Sequence, residues 1–345
     1  MTNPVLVEAL RGGHVESFHR GALAVLDADG AVLASLGDID RPIFPRSAVK
    51  ALQALPLVAS GAAERLKLTD EELALACASH QGEEAHVRTA ASMLAKAGVD
   101  ASVLECGAHW PYSEAASRTL SALGHAPSAL HNNCSGKHSG FVCVACLMAD
   151  GADLRHYVKG YVKPEHPVMR EISAALQATT GWDLATTPRG TDGCSIPTFA
   201  IPLRNLAQAF ARFSTGVGLS DANARAAKRL RAAVAKAPFY VGGSARFDSR
   251  VMQLLGERVF CKVGAEGVYC AAFPERGLGV AIKMDDGNTA RAAEVAMAAL
   301  IESLARLDDD ERIFMRELSD LTLRNWNGIE VGRLRAAEAL RGVRA

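Results

Sequence analysis

The sequence predicts an α/β chain of the α+β kind. Strands near both ends form an antiparallel sheet packed with helices, and a helical region fills the middle. Two observations carry the sheet. Residues 15–36 read as strand, turn and strand, with apolar residues from Ala22 to Leu26, then Asp27-Ala28-Asp29-Gly30, a hairpin signal, then Ala31 to Leu36. Residues 258–263, 267–273 and 278–284 are short β-rich runs parted by glycines, as in an antiparallel meander. Between these regions the periodic runs are helical.

In chain order, Pro45 opens a helix that runs to about residue 59, where Gly61 stops it. Thr69-Asp70-Glu71-Glu72 reads as a capping box before an apolar run. Residues 84–97 form an amphipathic helix, and residues 135–149 are apolar enough for a buried one. Helices follow over 167–180 and 203–213, and Asp221 caps another that ends before Pro238. After the meander, residues 289–307 read as a long Ala-rich helix and Asp308-Asp309-Asp310-Glu311 as a solvated charge run. Asn325-Trp326-Asn327-Gly328 reads as a turn before a last strand near 329–331. This organisation is one domain over 1–345, with sheet-forming parts at about 1–45 and 242–345 and a helical part at about 46–241. No internal repeat or low-complexity segment interrupts it.

The chain has 345 residues, zero formal net charge and 6% aromatic residues, which argues against a nucleic-acid binder. The first thirteen residues lack a basic-then-apolar leader, and no apolar run is long enough to span a bilayer. The expectation is a soluble, cytoplasmic protein. Eight cysteines in such a chain are expected to be reduced thiols, some of them able to bind metal.

Four constellations carry chemistry. In Pro45-Arg46-Ser47-Ala48-Val49-Lys50, a serine and a lysine stand one helical turn apart, as nucleophile and base do in the Ser-x-x-Lys enzymes. With strands at both ends, this matches the serine β-lactamase and penicillin-binding-protein layout. His131-Asn132-Asn133-Cys134-Ser135-Gly136-Lys137-His138 leads into an apolar helix. A thiol at such an N-terminus is acidified or ligates metal, whereas the bland reading is a polar cap. Arg189-Gly190-Thr191-Asp192-Gly193-Cys194-Ser195-Ile196-Pro197 is a shaped loop with an acid and a thiol, and Cys134 with Cys194 would make half a zinc site. Spacing nominates His138 as the third ligand. Cys143 and Cys146 form a Cys-x-x-Cys inside an apolar helix and read as core. Lys262-Val263-Gly264 occupies the place of the β-lactamase Lys-Thr-Gly strand, but no clear Ser-Asp-Asn element precedes it.

Together with Ser79-His80-Gln81-Gly82-Glu83 and Lys283-Met284-Asp285-Asp286-Gly287, these segments make the chain resemble the L-asparaginase II family, the rhizobial-type asparaginases, nearly end to end. The resemblance implies a homodimer of β-lactamase-like fold that hydrolyses L-asparagine to L-aspartate and ammonia. It implies two Ser-Lys pairs, Ser47 with Lys50 and Ser79 with Lys262, as the catalytic set. It also implies Zn2+ held by Cys134, Lys137 and Cys194, with Arg46, His138 and Asp192 binding substrate. Amide hydrolysis suits such parts, since it needs an activated nucleophile, a proton for the leaving ammonia and donors for the oxyanion. A lysine serves as base only where desolvation or a neighbouring cation lowers its pKa. The competing readings are a glutaminase or a β-lactam-acting Ser-Lys hydrolase of the same fold, and a zinc-dependent binding protein without turnover.

Overall fold

A computed structural model describes residues 2–344. The chain divides into two compact units. One takes the residues up to 48, Ile201–Val217 and the residues from 258 onward; the other takes Val49–Ala200 and Gly218–Glu257.

The first unit is built on the expected sheet. Among the described residues that sheet has eight strands: β1 (Val5–Arg11), β2 (His14–Asp27), β3 (Val32–Leu36), β4 (Phe260–Val263), β5 (Val268–Phe273), β6 (Leu278–Met284), β7 (Asp320–Arg324) and β8 (Glu330–Ala336). Their order is β7-β8-β1-β2-β6-β5-β4, with β3 also on β2, and each pairing is antiparallel. The β2–β3 turn is the predicted one, since Asp27 Oδ1 accepts from the amides of Asp29, Gly30 and Ala31 at 2.9–3.0 Å. The second half of β2 is buried on both faces and pairs with β6 in the register Leu23↔Ile282 and Val25↔Val280. Helix Leu203–Thr215 lies across β2, β5 and β6. It comes so close that a Cβ at Gly279 would stand 2.0 Å from Ala207 O. Helix Glu294–Leu304, almost wholly buried, packs against β1, β5 and β8.

Several expectations need correction here. Strand β1 lies in the N-terminal stretch that sequence reading left without an element. The Gly12-Gly13 pair between β1 and β2, both at positive φ, was the available turn signal. The final strand is longer than expected and hairpins with β7 around the Asn325–Gly328 turn. In Asp308–Glu311 the first three acids are exposed, as a solvated run would be, but Glu311 is buried. Asp308 Oδ1 accepts from Glu311 N–H at 2.8 Å and Glu311 Oε2 accepts from Asp308 N–H at 3.0 Å, a capping box opening helix Asp309–Ser319. The Glu311 carboxylate is buried against Arg258.

The second unit is helical, and its centre is helix Ser135–Met148. From Ser135 through Ala145 this helix is entirely buried, packing against helices Asp70–Ala76, Glu84–Lys96 and Pro167–Thr180. Thr69 and Glu72 form the predicted capping box. Ser220, rather than Asp221, caps helix Asp221–Lys236. Helix Glu114–Ala122 was not anticipated, and it buries no residue. Cys143 is buried in the core, as expected, with its thiol donating to Met93 O. Among the described residues no helix is long and apolar enough to cross a membrane.

Candidate active site

In the sheet unit, Ser47 lies in the 3-10 turn Arg46–Val49 rather than in a regular α-helical turn. Arg46 just before it has φ +51°, in the left-handed region, which costs a non-glycine residue about 1–3 kcal/mol and is kept where the surroundings over-determine it. Ala48 N–H closes the turn on Pro45 O at 3.1 Å. Strand β4 ends beside this turn. A Cβ at Gly264 would stand 2.7 Å from Pro45 O, so the glycine of Lys262-Val263-Gly264 permits the approach. Lys262 is fully buried; it pairs across the sheet with Cys270 and donates from Nζ to Val263 O at 2.9 Å. The Lys283–Gly287 motif turns the chain at the end of β6, where Asp286 Oδ2 is 2.5 Å from His19 Nδ1 on β2.

In the helical unit, Lys50 opens helix Lys50–Gln53 with no exposed surface. Its Nζ donates to Ala78 O at 2.7 Å, Ser79 Oγ at 2.8 Å and Asn133 O at 3.4 Å. Lys50 therefore bonds to Ser79 of the second predicted pair. Ser79 is held by its own N–H on Val241 O at 2.9 Å. Next to it, His80 Nδ1 accepts from Gly82 N–H at 3.0 Å, so its protonated Nε2 donates to Ser135 Oγ at 2.9 Å. Burial first, then the neighbouring His86 and Lys50, push the His80 pKa well below the ordinary imidazole value, leaving it neutral.

The cysteine loops converge in the same unit. Asn132 Oδ1 accepts from Cys134 N–H at 2.8 Å, while Asn132 Nδ2 donates to Cys106 O and Gly107 O. The Asp192–Ile196 loop is tied by Asp192 N–H on Ile196 O at 2.8 Å and carries Ser195 at φ +76°. Lys137 Nζ donates to Cys194 Sγ at 3.0 Å, and Asp192 Oδ2 is 3.8 Å from the same sulfur. Cys194 also hydrogen-bonds Cys134, and that bond, aided by Lys137 and Lys50, lowers the Cys134 pKa well below its usual value and raises that of Cys194. Burial opposes the Lys137 ammonium, but Cys134, Cys194 and Asp192 outweigh it and raise its pKa.

Two thiols and an amine meeting this closely fit a zinc ion, a soft acceptor of sulfur and nitrogen. Among the described residues, no three His, Cys, Asp or Glu side chains are arranged for a metal, so the spacing-nominated Cys134, Cys194 and His138 set is not formed. His138 turns elsewhere. Its Nδ1 is 2.6 Å from Tyr161 OH, which accepts from Glu105 N–H, and its buried Nε2 has no hydrogen-bond partner among the described residues. Tyr161 and Asn133 are the side chain and carbonyl that sequence reasoning missed. Tyr161 lies in no motif, and a backbone carbonyl has no residue-type signature.

The pattern described as L-asparaginase II matches residues 7–336. No curated protein sequence matches the chain. Among solved structures, Mglu in its native form in 4.3 M NaCl is 17% identical with a TM-score of 0.38, covering 82% of this chain and 60% of its own. A beta-lactamase from Mycobacterium bovis is 14% identical with a TM-score of 0.37, covering 80% and 90%.

Proposed function

Since the chain belongs to the L-asparaginase II family, we propose that it is an amidohydrolase that converts L-asparagine to L-aspartate and ammonia. The observation that carries this reading is the fully buried Lys50, whose Nζ bonds Ser79 Oγ and two carbonyl oxygens. A buried amine on a serine hydroxyl is a proton-transfer pair rather than a solvated surface charge.

Ser47 Oγ adds to the side-chain amide carbon of asparagine and Lys50 accepts its proton. Backbone amides around Ser47 stabilise the oxyanion. Collapse breaks the C–N bond, and the leaving nitrogen takes a proton through Ser79 and Lys262 and departs as ammonia. Water then cleaves the Ser47 ester, returning the hydroxyl and releasing aspartate. Arg46, His138 and Asp192 bind and orient the substrate. Cys134, Lys137 and Cys194 would hold Zn2+, with Lys137 deprotonated on binding. When bound, the ion supplies a Lewis acid that orients the substrate's α-amino and α-carboxylate groups.

Ammonia release from asparagine and glutamine, beside turnover of a chromogenic β-lactam, tests the substrate. Asparagine is expected to be the fastest, and turnover confined to glutamine or the β-lactam would overturn the reading. Ser47→Ala should lower the rate by about 10³-fold or more; a wild-type rate removes Ser47 as nucleophile. Elemental analysis of protein purified without chelator should find one zinc per chain, and none would defeat the metal assignment.

A further inference from the structure

The C-terminal part of the sheet unit contains a second feature built for binding. Helices Glu294–Leu304, Asp309–Ser319 and Glu338–Arg341 and the ends of β7 and β8 line a half-open cavity of about 700 Å³. That is within the size range of small-molecule sites. Its walls carry Arg312, Arg316, Arg341 and Arg344 against two carboxylates, Glu302 and Asp320. Each carboxylate has one ion-pair partner. Glu302 Oε1 takes Arg316 Nε at 2.7 Å and Asp320 Oδ2 takes Arg333 Nη2 at 2.8 Å, while Asp320 Oδ1 is buried without a hydrogen-bond partner among the described residues. Arg312, Arg341 and Arg344 have no ion-pair partner among the described residues, so three guanidinium groups face one cavity uncompensated.

Like charges gathered from two chain segments repel, and only a multiply charged anion would offset them all. Guanidinium forks match carboxylate and phosphate oxygens in pairs. No aromatic ring is among the lining residues, so a nucleobase would find no aromatic face there. We propose that this cavity binds a compact organic polyanion without an aromatic ring, a sugar bisphosphate or a tricarboxylate, through Arg312, Arg341 and Arg344. The proposal stands independently of the amide-hydrolysing reading.

The test is calorimetric titration of the full chain with fructose 1,6-bisphosphate and with citrate, inorganic phosphate serving as the single-anion control. One site per chain is expected, with affinity falling as salt is raised. Arg312→Gln and Arg341→Gln should each weaken it about tenfold or more, the loss of one charge-assisted contact. Tighter binding of the bisphosphate assigns the phosphorylated source and tighter binding of citrate the carboxylate one; either supports the site. Thermal stabilisation of the unmodified chain by the same probes supplies a readout that needs no variant. Failure of both probes to bind or stabilise at millimolar concentration, or undiminished binding after Arg312, Arg341 and Arg344 are all changed to Gln, overturns it.

Discussion

Lys50 stands on neutral partners. Ala78 O, Ser79 Oγ and Asn133 O stand 2.7, 2.8 and 3.4 Å from its Nζ, and Ser79 Oγ is the one side-chain hydroxyl among them. Ser79→Ala should therefore leave the chain folded, at a cost of about 1–3 kcal/mol for a buried donor left without its partner, while the rate on asparagine falls by about 10²- to 10⁴-fold. Melting curves and steady-state kinetics on one preparation check both; an unchanged kcat would remove Ser79 from the proton path. Ser47 and Lys50 were visible as a spacing, and Cys134 and Cys194 as lone thiols on shaped loops. The Lys50–Ser79 bond could not be read from sequence, because it joins residues 29 apart whose proximity is set by helix packing. Lys137 is buried facing Cys194, whereas His138, one residue on, faces Tyr161. A step of one residue on a helix turns a side chain by about 100°, so spacing could nominate either until the packing was known.

At the scale of elements, helix Ser135–Met148 delivers Lys137 because glycine lets it sit down on its neighbour. A Cβ at Gly136 would stand 2.3 Å from Leu75 O, too close for any side chain. Gly136→Ala improves helix propensity yet should destabilise the protein by about 1–3 kcal/mol through overpacking. Displacing this helix should also lower zinc content and turnover together. A more stable variant with full metal content would refute the packing argument. The helix at Asp309–Ser319 supplies a second prediction. Arg258 holds the Glu311 carboxyl below its usual range, outweighing burial. A lowered folded-state pKa means this stabilisation is present above the unfolded carboxylate value of about 4.3 and is lost as pH falls through the folded one. Glu311→Gln should cost about 1–2 kcal/mol at pH 7, and the gap to wild type should close in acid. Urea melts at pH 7 and pH 3 measure it, and a gap that persists in acid contradicts the ion-pair origin. The same helix shows why composition misled. Four consecutive acids look solvated, but two of them cap the helix and one of those is buried.

At the scale of the molecule, most of the sheet was legible because its central strands carry dense apolar runs bounded by glycines. The edge was not. Strands β7 and β8 are half-exposed, and their alternation is broken by charged residues that pair across strands, as Arg333 does with Asp320 and Arg335 with Glu8. Removing residues from 330 onward would strip β8 from between β1 and β7 and expose Leu6, Val7 and Ala9, which are fully or almost fully buried. The truncated chain should aggregate or lose its cooperative melt. A soluble, active product ending at residue 329 would show that β8 is dispensable.

The pairing of β1 with β8 sets Val7 opposite Ala336, more than three hundred residues away along the chain. Every residue of the helical unit leaves the ribosome before β8 does. The β1–β2 hairpin must then wait, with the β1 edge that β8 will cover still open, for nearly the whole of synthesis. At about 5–20 residues per second, that wait is on the order of half a minute. Folding of the sheet is therefore timed by chain completion, and pairing at such separation is intrinsically slow. A nascent-chain pause anywhere between emergence of the β1–β2 hairpin and of β8 prolongs exposure of that edge.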